Sequence, residues 1–283
     1  MSRPADEIPS QVEVIGTPKA VGFCEEWYTL NAEEHFWFSW RFRAFQSMLR
    51  GLRLNSASFR ALDVGCGTGL LRSQLESATP WTVDCTDLNL EGLARVKPGR
   101  GRVLFYDVLS EDPSLAGRYD AVLAFDLLEH LDNPLAMLEA LSRHVRPGGW
   151  IFINVPALSA LFSDYDRAAG HVKRYGRRGL VREIQAAELE PVLTRFWGFT
   201  SVALLAMRKA LVRGAMGMDE RAIIRKGFAP PNRLLSIALR CIMRIETAIP
   251  LAPPIGASLL LAARTAGGDR PSTRQAAEAH AYT

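Results

Sequence analysis

Ala61-Leu-Asp63-Val-Gly65-Cys66-Gly67-Thr-Gly69-Leu70 joins a short apolar run to a segment with helical spacing, with three alternate glycines at the junction. Glycine there lets a ligand approach the backbone closely and leaves free amides where open α/β sheets bind their ligands, so the run reads as a binding loop. A dinucleotide fingerprint needs glycine at position 70, which is Leu70, and a phosphate-binding Walker loop needs a Gly-Lys-Ser/Thr ending that is absent. Both NAD and ATP lose ground. Asp87 follows Gly69 by 18 residues at the end of the second apolar run, where a carboxylate can accept both hydroxyls of a ribose.

Working outward, ALDVG, WTVDCT, RVLFYD, DAVLAFD and WIFINVP begin near 61, 81, 102, 120 and 150, and each reads as a buried strand. Helical patterns at Leu70 to Ser77, Leu90 to Val96 and Pro134 to Val145 separate most of them, the last closed by Pro147-Gly148-Gly149. Strands alternating with crossover helices predict a doubly wound parallel sheet. Glu33 to Leu52 has the spacing of an N-terminal helix. Beyond the fifth strand the pattern predicts a helix at Arg177 to Leu189, a strand at Val192 to Phe199 and a final strand at Ser258 to Arg264. Helices at Val202 to Arg213 and Leu234 to Ile249 fill the interval between the last two strands. The expected organisation is a loose tail over 1–22, a single domain over 23–267 with a helical, basic insert at about 200–257, and a loose tail over 268–283.

The 283 residues are 48% apolar and 23% charged, the composition of an ordinary globular protein rather than a disordered or fibrous one. Four cysteines, Cys24, Cys66, Cys85 and Cys241, lack metal-ligand or CxxC spacing, which points to a reducing cytoplasm. The N-terminus lacks the apolar stretch of a secretion signal, and the uncharged segment from Thr247 to Ala263 is interrupted by Pro250, Pro253 and Pro254, against a membrane span.

The net charge of +4 is small, but its distribution is uneven. Arg167, Lys173, Arg174, Arg177, Arg178 and Arg182 cluster without an acid. Between 199 and 245 nine bases (Arg208, Lys209, Arg213, Arg221, Arg225, Lys226, Arg233, Arg240 and Arg244) face only Asp219 and Glu220. That excess predicts an anionic partner: a carboxylate, a phosphate, a carrier-bound intermediate or an acidic lipid headgroup. The apolar helices with basic flanks leave contact with a membrane surface open. Nucleic acid is disfavoured, because no RNA-binding module or arginine-rich tail is appended. The sequence carries no signal for an oligomeric state.

The glycine run resembles motif I of the class I S-adenosylmethionine-dependent methyltransferases, and further landmarks agree in order. Phe105-Tyr-Asp107-Val108 resembles the family's adenine-contacting segment, Tyr119 to Pro134 its fourth strand and following loop, and RPGGWIFINVP its fifth strand. Ser163-Asp-Tyr-Asp166-Arg-Ala-Ala-Gly170-His171-Val-Lys-Arg174-Tyr175 and EHFWFSWR at 34–41 resemble segments of the bacterial ubiquinone-biosynthesis-like (type 11) subgroup. The resemblance implies a Rossmann-like seven-stranded sheet in the order 3-2-1-4-5-7-6 and S-adenosylmethionine as cofactor. It places the cofactor on Asp63, Gly65, Cys66, Gly67, Gly69, Asp87, Leu88, Asp107, Val108 and Phe125, with Asp63 holding the loop or the methionine amino group.

The implied reaction is methyl transfer, with oxygen the preferred acceptor atom, to an anionic small-molecule, carrier-bound or lipid- or glycan-type acceptor. His171 is the preferred general base, Glu129 and His130 are further catalytic candidates, and Asp166, Arg174 and Tyr175 are expected to position the acceptor. The resemblance to ubiquinone-pathway O-methyltransferases also suggests a divalent cation on Asp126, Glu129 and His130, although a metal-free site is preferred. The alternatives are a metal-dependent lipid or quinone methyltransferase at a membrane surface and a non-catalytic cofactor-binding protein on the same fold.

Overall fold

Short runs that are apolar at nearly every position need cover on both faces, and a parallel sheet supplies it. The computed structural model describes residues 8–22, 35–211, 222–223, 233–248 and 253–267. Eight strands, β1 (Val12–Val14), β2 (Arg60–Val64), β3 (Thr82–Asp87), β4 (Val103–Phe105), β5 (Tyr119–Phe125), β6 (Val145–Pro156), β7 (Glu190–Trp197) and β8 (Ser258–Arg264), form one sheet in the order β1-β4-β3-β2-β5-β6-β8-β7. β1 to β6 pair in parallel, whereas β8 runs antiparallel between β6 and β7.

From β4 to β7 the order is the expected seven-stranded one. The eighth strand corrects the reading of 1–22 as a loose tail. Val12 sits opposite Val103 and Val14 opposite Phe105, and the amide of Ile15 donates to the Phe105 carbonyl at 3.2 Å. Three residues, Val-Glu-Val, are too few for alternation to register in the sequence, but they cover an equally short edge strand that would otherwise expose its hydrogen-bonding groups.

Alternate residues of the strands feed two apolar layers. On one face Ala61, Val83, Leu123, Phe152 and Leu260 pack with α1 (Phe36–Gly51) and α2 (Leu70–Ala78). On the other, Leu62, Val122, Ile151 and Leu261 pack with α4 (Pro134–His144) and α6 (Arg177–Ala186), while α3 (Leu90–Ala94) covers the β3–β4 edge. The short α5 (Asp164–Ala168) follows β6, and α7 (Ser201–Leu211) and α8 (Arg233–Ala248) lie in the insert between β7 and β8. Parts of that insert, Cys24 and the 268–283 tail lie outside the described residues. Among the described residues no helix is long and apolar enough to cross a membrane.

α1 matters most for the site. Trp40, Ala44, Phe45, Met48 and Leu49 form its buried stripe, at the spacing that turns one face of a helix inward. The Phe45 ring stands edge-on to Phe125 and Phe152, with centroids 5.0 and 5.1 Å apart. This contact fixes the helix over the carboxyl end of β5. Phe45→Ala should cost about 3–5 kcal/mol of stability, as a large cavity in a closed core does. Urea denaturation checks this; a loss below about 1 kcal/mol would mean that α1 is held elsewhere.

Candidate functional site

β2 ends at Val64 and the chain enters α2 through Gly65, Gly67 and Gly69, whose φ angles are 71°, 55° and 71°. Side-chain-bearing residues rarely adopt this left-handed backbone. At Gly69 an added Cβ would also lie 2.9 Å from the Val96 side chain. The Gly65 and Cys66 amides donate to the Thr86 carbonyl at 2.9 and 3.1 Å, and the Gly67 amide donates to Asp87 Oδ2 at 2.8 Å. Asp87 Oδ1 accepts from the Asn89 amide at 2.8 Å, so backbone fixes both oxygens.

Above this turn, beyond the carboxyl ends of the strands, lies a cavity of about 1010 Å³. Asp63, Gly65, Cys66, Gly67, Asp87, Leu88, Asp107, Val108 and Phe125 all line it, which brings together nine of the ten residues expected at the cofactor. Gly69 does not line it; its place is the tight contact with Val96 that starts α2. Asp107 lines the wall and also caps a local turn, its Oδ1 accepting from the Leu109 amide at 3.0 Å. The Cys66 thiol is pushed well above its usual range, chiefly by its hydrogen bond with Cys85 and by burial, which disfavours the thiolate.

Asp63 is nearly inaccessible, and its Oδ2 has no hydrogen-bond partner among the described residues. Burial raises its carboxyl to about 7, against the opposing charge of Arg41. A buried orphan carboxylate facing a cavity suits a cationic group such as an ammonium.

At the other end, Asp126 adopts a left-handed φ of 55°, and the turn Leu128–His130 that follows brings Glu129 and His130 onto the wall. The proposed metal set needs correction here. Asp126 is engaged by Arg41 Nη1 at 2.6 Å and by the Asn154 amide, and the third potential ligand beside Glu129 and His130 is His171. One ligand atom from each of these three lies within 4.8 Å of the others. Glu129 is wholly buried and neither carboxylate oxygen has a partner among the described residues. Burial and the nearby Asp126 push it well above the usual carboxylate range. Burial and then the neighbouring His171 push His130 down to about 4, so it is neutral at physiological pH.

Of the expected acceptor-positioning residues, Asp166 and Tyr175 turn away from the cavity into packed structure. Asp166 Oδ2 accepts from the Ser163 amide and hydroxyl at 2.8 and 2.9 Å. Its Oδ1 accepts from Arg174 Nε at 2.8 Å and faces His171 Nδ1 at 3.3 Å. Tyr175 donates its hydroxyl to the Leu128 carbonyl at 3.2 Å and props the Glu129 turn from behind. Arg174 lines the cavity, yet its guanidinium is committed to Asp166 and to the Ala157 carbonyl. These buried groups satisfy one another, which is why the segment is ordered.

Residues 33–194 match the model of a family described as a methyltransferase domain. The chain belongs to that family of methyltransferase domains. Its fold is that of the class I enzymes and its cofactor is S-adenosylmethionine. The methyltransferase is 34% identical over 109 residues to a ubiquinone biosynthesis O-methyltransferase of Marinobacter nauticus, covering 36% of this chain and 46% of the relative. The corresponding protein of Xanthomonas oryzae is 37% identical over 119 residues, covering 38% and 49%. The match thus spans about half the length of these curated relatives. Among solved structures, the [4+2]-cyclase SpnF superposes with a TM-score of 0.52 at 16% identity over 80% of this chain and 82% of its own. A putative methyltransferase structure from Haloferax volcanii, solved with its Trm112 activator, gives 0.51 at 11% identity over 87% and 100%. These two likenesses concern the fold alone.

The methyltransferase also lines its cavity with residues that motif reading passed over. Arg41 lies between the Phe38 and Phe125 rings, 5.1 and 5.6 Å from their centroids. Phe36, Trp37 and Phe38 from α1, and Leu204, Leu205 and Met207 from α7, supply apolar wall. The aromatic density of HFWFSWR was the available signal, but helix periodicity explains it equally well as core. Arg208 is the one base of the insert that lines the cavity among the described residues. Arg240 and Arg244 are exposed on α8 alongside Ile237, Ile242 and Ile245.

Although burial opposes it, hydrogen bonds from His171, Arg174 and Ser163 hold the Asp166 carboxyl far below its ordinary range. Its contribution to stability is therefore complete above the unfolded carboxylate pKa, about 4, and is lost as the pH falls towards the depressed folded value. Arg174→Ala leaves that charge buried without its main partner and should destabilise the ligand-free protein by about 3–5 kcal/mol at pH 7. Thermal melts at pH 7 and pH 3 check it; an unchanged melt at pH 7 would make the pair energetically idle.

Proposed function

We propose that the enzyme transfers the methyl group of S-adenosylmethionine to an oxygen of a small, anionic acceptor, with His171 as general base. The observation that carries this reading is one continuous cavity with the glycine turn, Asp63 and Asp87 at one end and the Glu129, His130 and His171 cluster at the other. The similarity to ubiquinone biosynthesis O-methyltransferases supports oxygen as the acceptor atom. Asp87, already oriented by the Gly67 and Asn89 amides, retains lone pairs for the ribose hydroxyls. Asp63 receives the methionine ammonium.

In this reading the acceptor oxygen attacks the methyl carbon as the carbon–sulfur bond breaks. The bonding pair passes to sulfur, leaving a neutral thioether, and the acceptor proton goes to His171. Positioning supplies much of the rate, because the donor is already activated. Nδ1 of His171 donates to Asp166, which leaves Nε2 as the basic nitrogen. Asp166 acts through the histidine, fixing its tautomer as a buried carboxylate does in hydrolytic triads. His171→Ala should lower turnover by about 100-fold or more while leaving cofactor affinity nearly unchanged.

The orphaned Glu129 carboxylate supports a second reading, in which Glu129, His130 and His171 hold a divalent cation. Such an ion would lower the pKa of the acceptor hydroxyl, and His171 would then be a ligand rather than the base. Chelator separates the two: on the first reading turnover survives it, and on the second it stops and returns with added cation. Full activity in both His171→Ala and the chelated wild type would discard both and leave positioning alone.

The Asp63 assignment has a pH signature. In the cofactor-free protein a carboxyl with a value of about 7 is largely protonated at pH 6. A bound ammonium favours the carboxylate, so binding expels the proton and affinity climbs with pH until about 7. Calorimetry at pH 6 in buffers of different ionisation enthalpy should show release of about one proton per cofactor, absent in Asp63→Asn. Proton-neutral binding by the wild type at pH 6 removes the ammonium from Asp63.

A further inference from the structure

Among the described residues three arginines line the cavity: Arg41, Arg174 and Arg208. Two are neutralised by acids, Arg41 by Asp126 at 2.6 Å and Arg174 by Asp166 at 2.7 Å. Arg208 pairs with no carboxylate among the described residues, and its Nε has no hydrogen-bond partner there. Its guanidinium instead lies over the Tyr165 ring, 3.7 Å from the centroid. Burial and the neighbouring Arg174 both disfavour its charged form, with Tyr165 and Asp166 opposing them. A guanidinium removed from water and left without an anion is costly unless a ligand supplies one.

The surroundings describe that ligand. Stacking on an aromatic face holds the guanidinium plane and leaves its edge for an oxyanion, the geometry in which arginine outperforms lysine. Lys209 donates to the Ala160 carbonyl at 2.6 Å and ties α7 down beside this position. The neighbouring wall is apolar, from Trp37, Phe38, Leu204 and Leu205. His171 lines the same cavity and its ring centroid is 4.8 Å from that of His130.

We propose that Arg208, stacked on Tyr165, is the specificity residue that binds the oxyanion of an acceptor with an apolar body, anchoring one end of it so that its hydroxyl reaches the His171 cluster. This rests on the functional reading above and narrows it. Among the described bases of the insert, Arg240 and Arg244 are exposed and Lys209 is bound to a carbonyl, so the recognition falls to the one stacked guanidinium on the cavity wall. A carboxylate and a phosphate present the same chemistry to it, and a probe series tells them apart.

The test is calorimetric titration of the full chain saturated with S-adenosylhomocysteine, using 4-butylbenzoate, its neutral amide 4-butylbenzamide and phenyl phosphate. One of the two anions should bind the wild type at least about tenfold more tightly than the amide. A tighter benzoate assigns a carboxylate and a tighter phenyl phosphate a phosphate. Arg208→Gln should erase the preference while holding S-adenosylhomocysteine affinity within about twofold, and Arg208→Lys, which keeps the charge but not the fork, should retain only part of it. Neither anion binding the wild type more tightly than the amide, no binding of either anion at millimolar concentration, or a preference that persists in Arg208→Gln overturns the proposal. Failure of the wild type to bind S-adenosylhomocysteine at all would instead strike the functional reading on which it rests. Tyr165→Leu is the companion variant: it keeps an apolar neighbour but removes the stacking face, and should weaken anion binding in the same direction.

Discussion

The cavity depends on the contact between Arg41 and Asp126. Arg41 comes from the first helix and Asp126 from the carboxyl end of the central strand β5, so a 2.6 Å ion pair joins elements 85 residues apart in the chain. Two aromatic rings flank the guanidinium, which limits solvent screening and strengthens the pair over an exposed one. The pair has three consequences. It withdraws Asp126 from any metal set, it closes the cavity with the aromatic stretch of α1, and its positive charge is the largest influence opposing the burial that raises Asp63.

A second constraint organises the acceptor side. The Asp166 carboxylate is fully buried and distributes its lone pairs among Ser163, Arg174 and His171. An ionised group in that position is tolerable only because every direction is answered by a donor. The same carboxylate therefore caps α5, retains Arg174 in the wall and orients the imidazole of His171. One residue thus serves both the fold of the loop and the orientation of the histidine.

This sharing explains which parts of the site were legible in the sequence. The sheet and the glycine turn follow from apolar runs and from residues that only a special backbone requires, and both leave local signatures. The nine expected cofactor positions that line the cavity lie within a few residues of strand ends, so fixing the strands fixes them. The roles of Asp166, Arg174 and Tyr175 are different, because a charged or hydroxyl side chain in an irregular segment looks the same whether it meets a ligand or a buried partner. Asp126 belongs to the same class: its partner Arg41 is remote in sequence, and its left-handed backbone, which aspartate adopts more readily than most side-chain-bearing residues, leaves no local signature. Val12–Val14 escaped for a simpler reason, since three residues cannot display a period.

The charges along the cavity wall also suit the direction of the proposed chemistry. At the glycine turn the cavity is lined by carboxyls, Asp63 and Asp87, whereas elsewhere its wall presents Arg208 and a histidine pair. The proposed reading thus draws a donor with ammonium and sulfonium charges to the carboxyls and an oxyanion to the arginine, which would align two different molecules without contact between their charged ends. On the proposed reading, methyl transfer abolishes the sulfonium charge, so the product loses one attraction to the acidic end and keeps those of its ammonium for Asp63 and its ribose for Asp87. On the proposal that His171 is the base, the acceptor's proton adds a positive charge there while the product is still bound. On that proposal the imidazolium faces the Asp166 carboxylate, 3.3 Å from Nδ1, whose charge balances it until the proton passes to solvent and the histidine is reset for the next turnover.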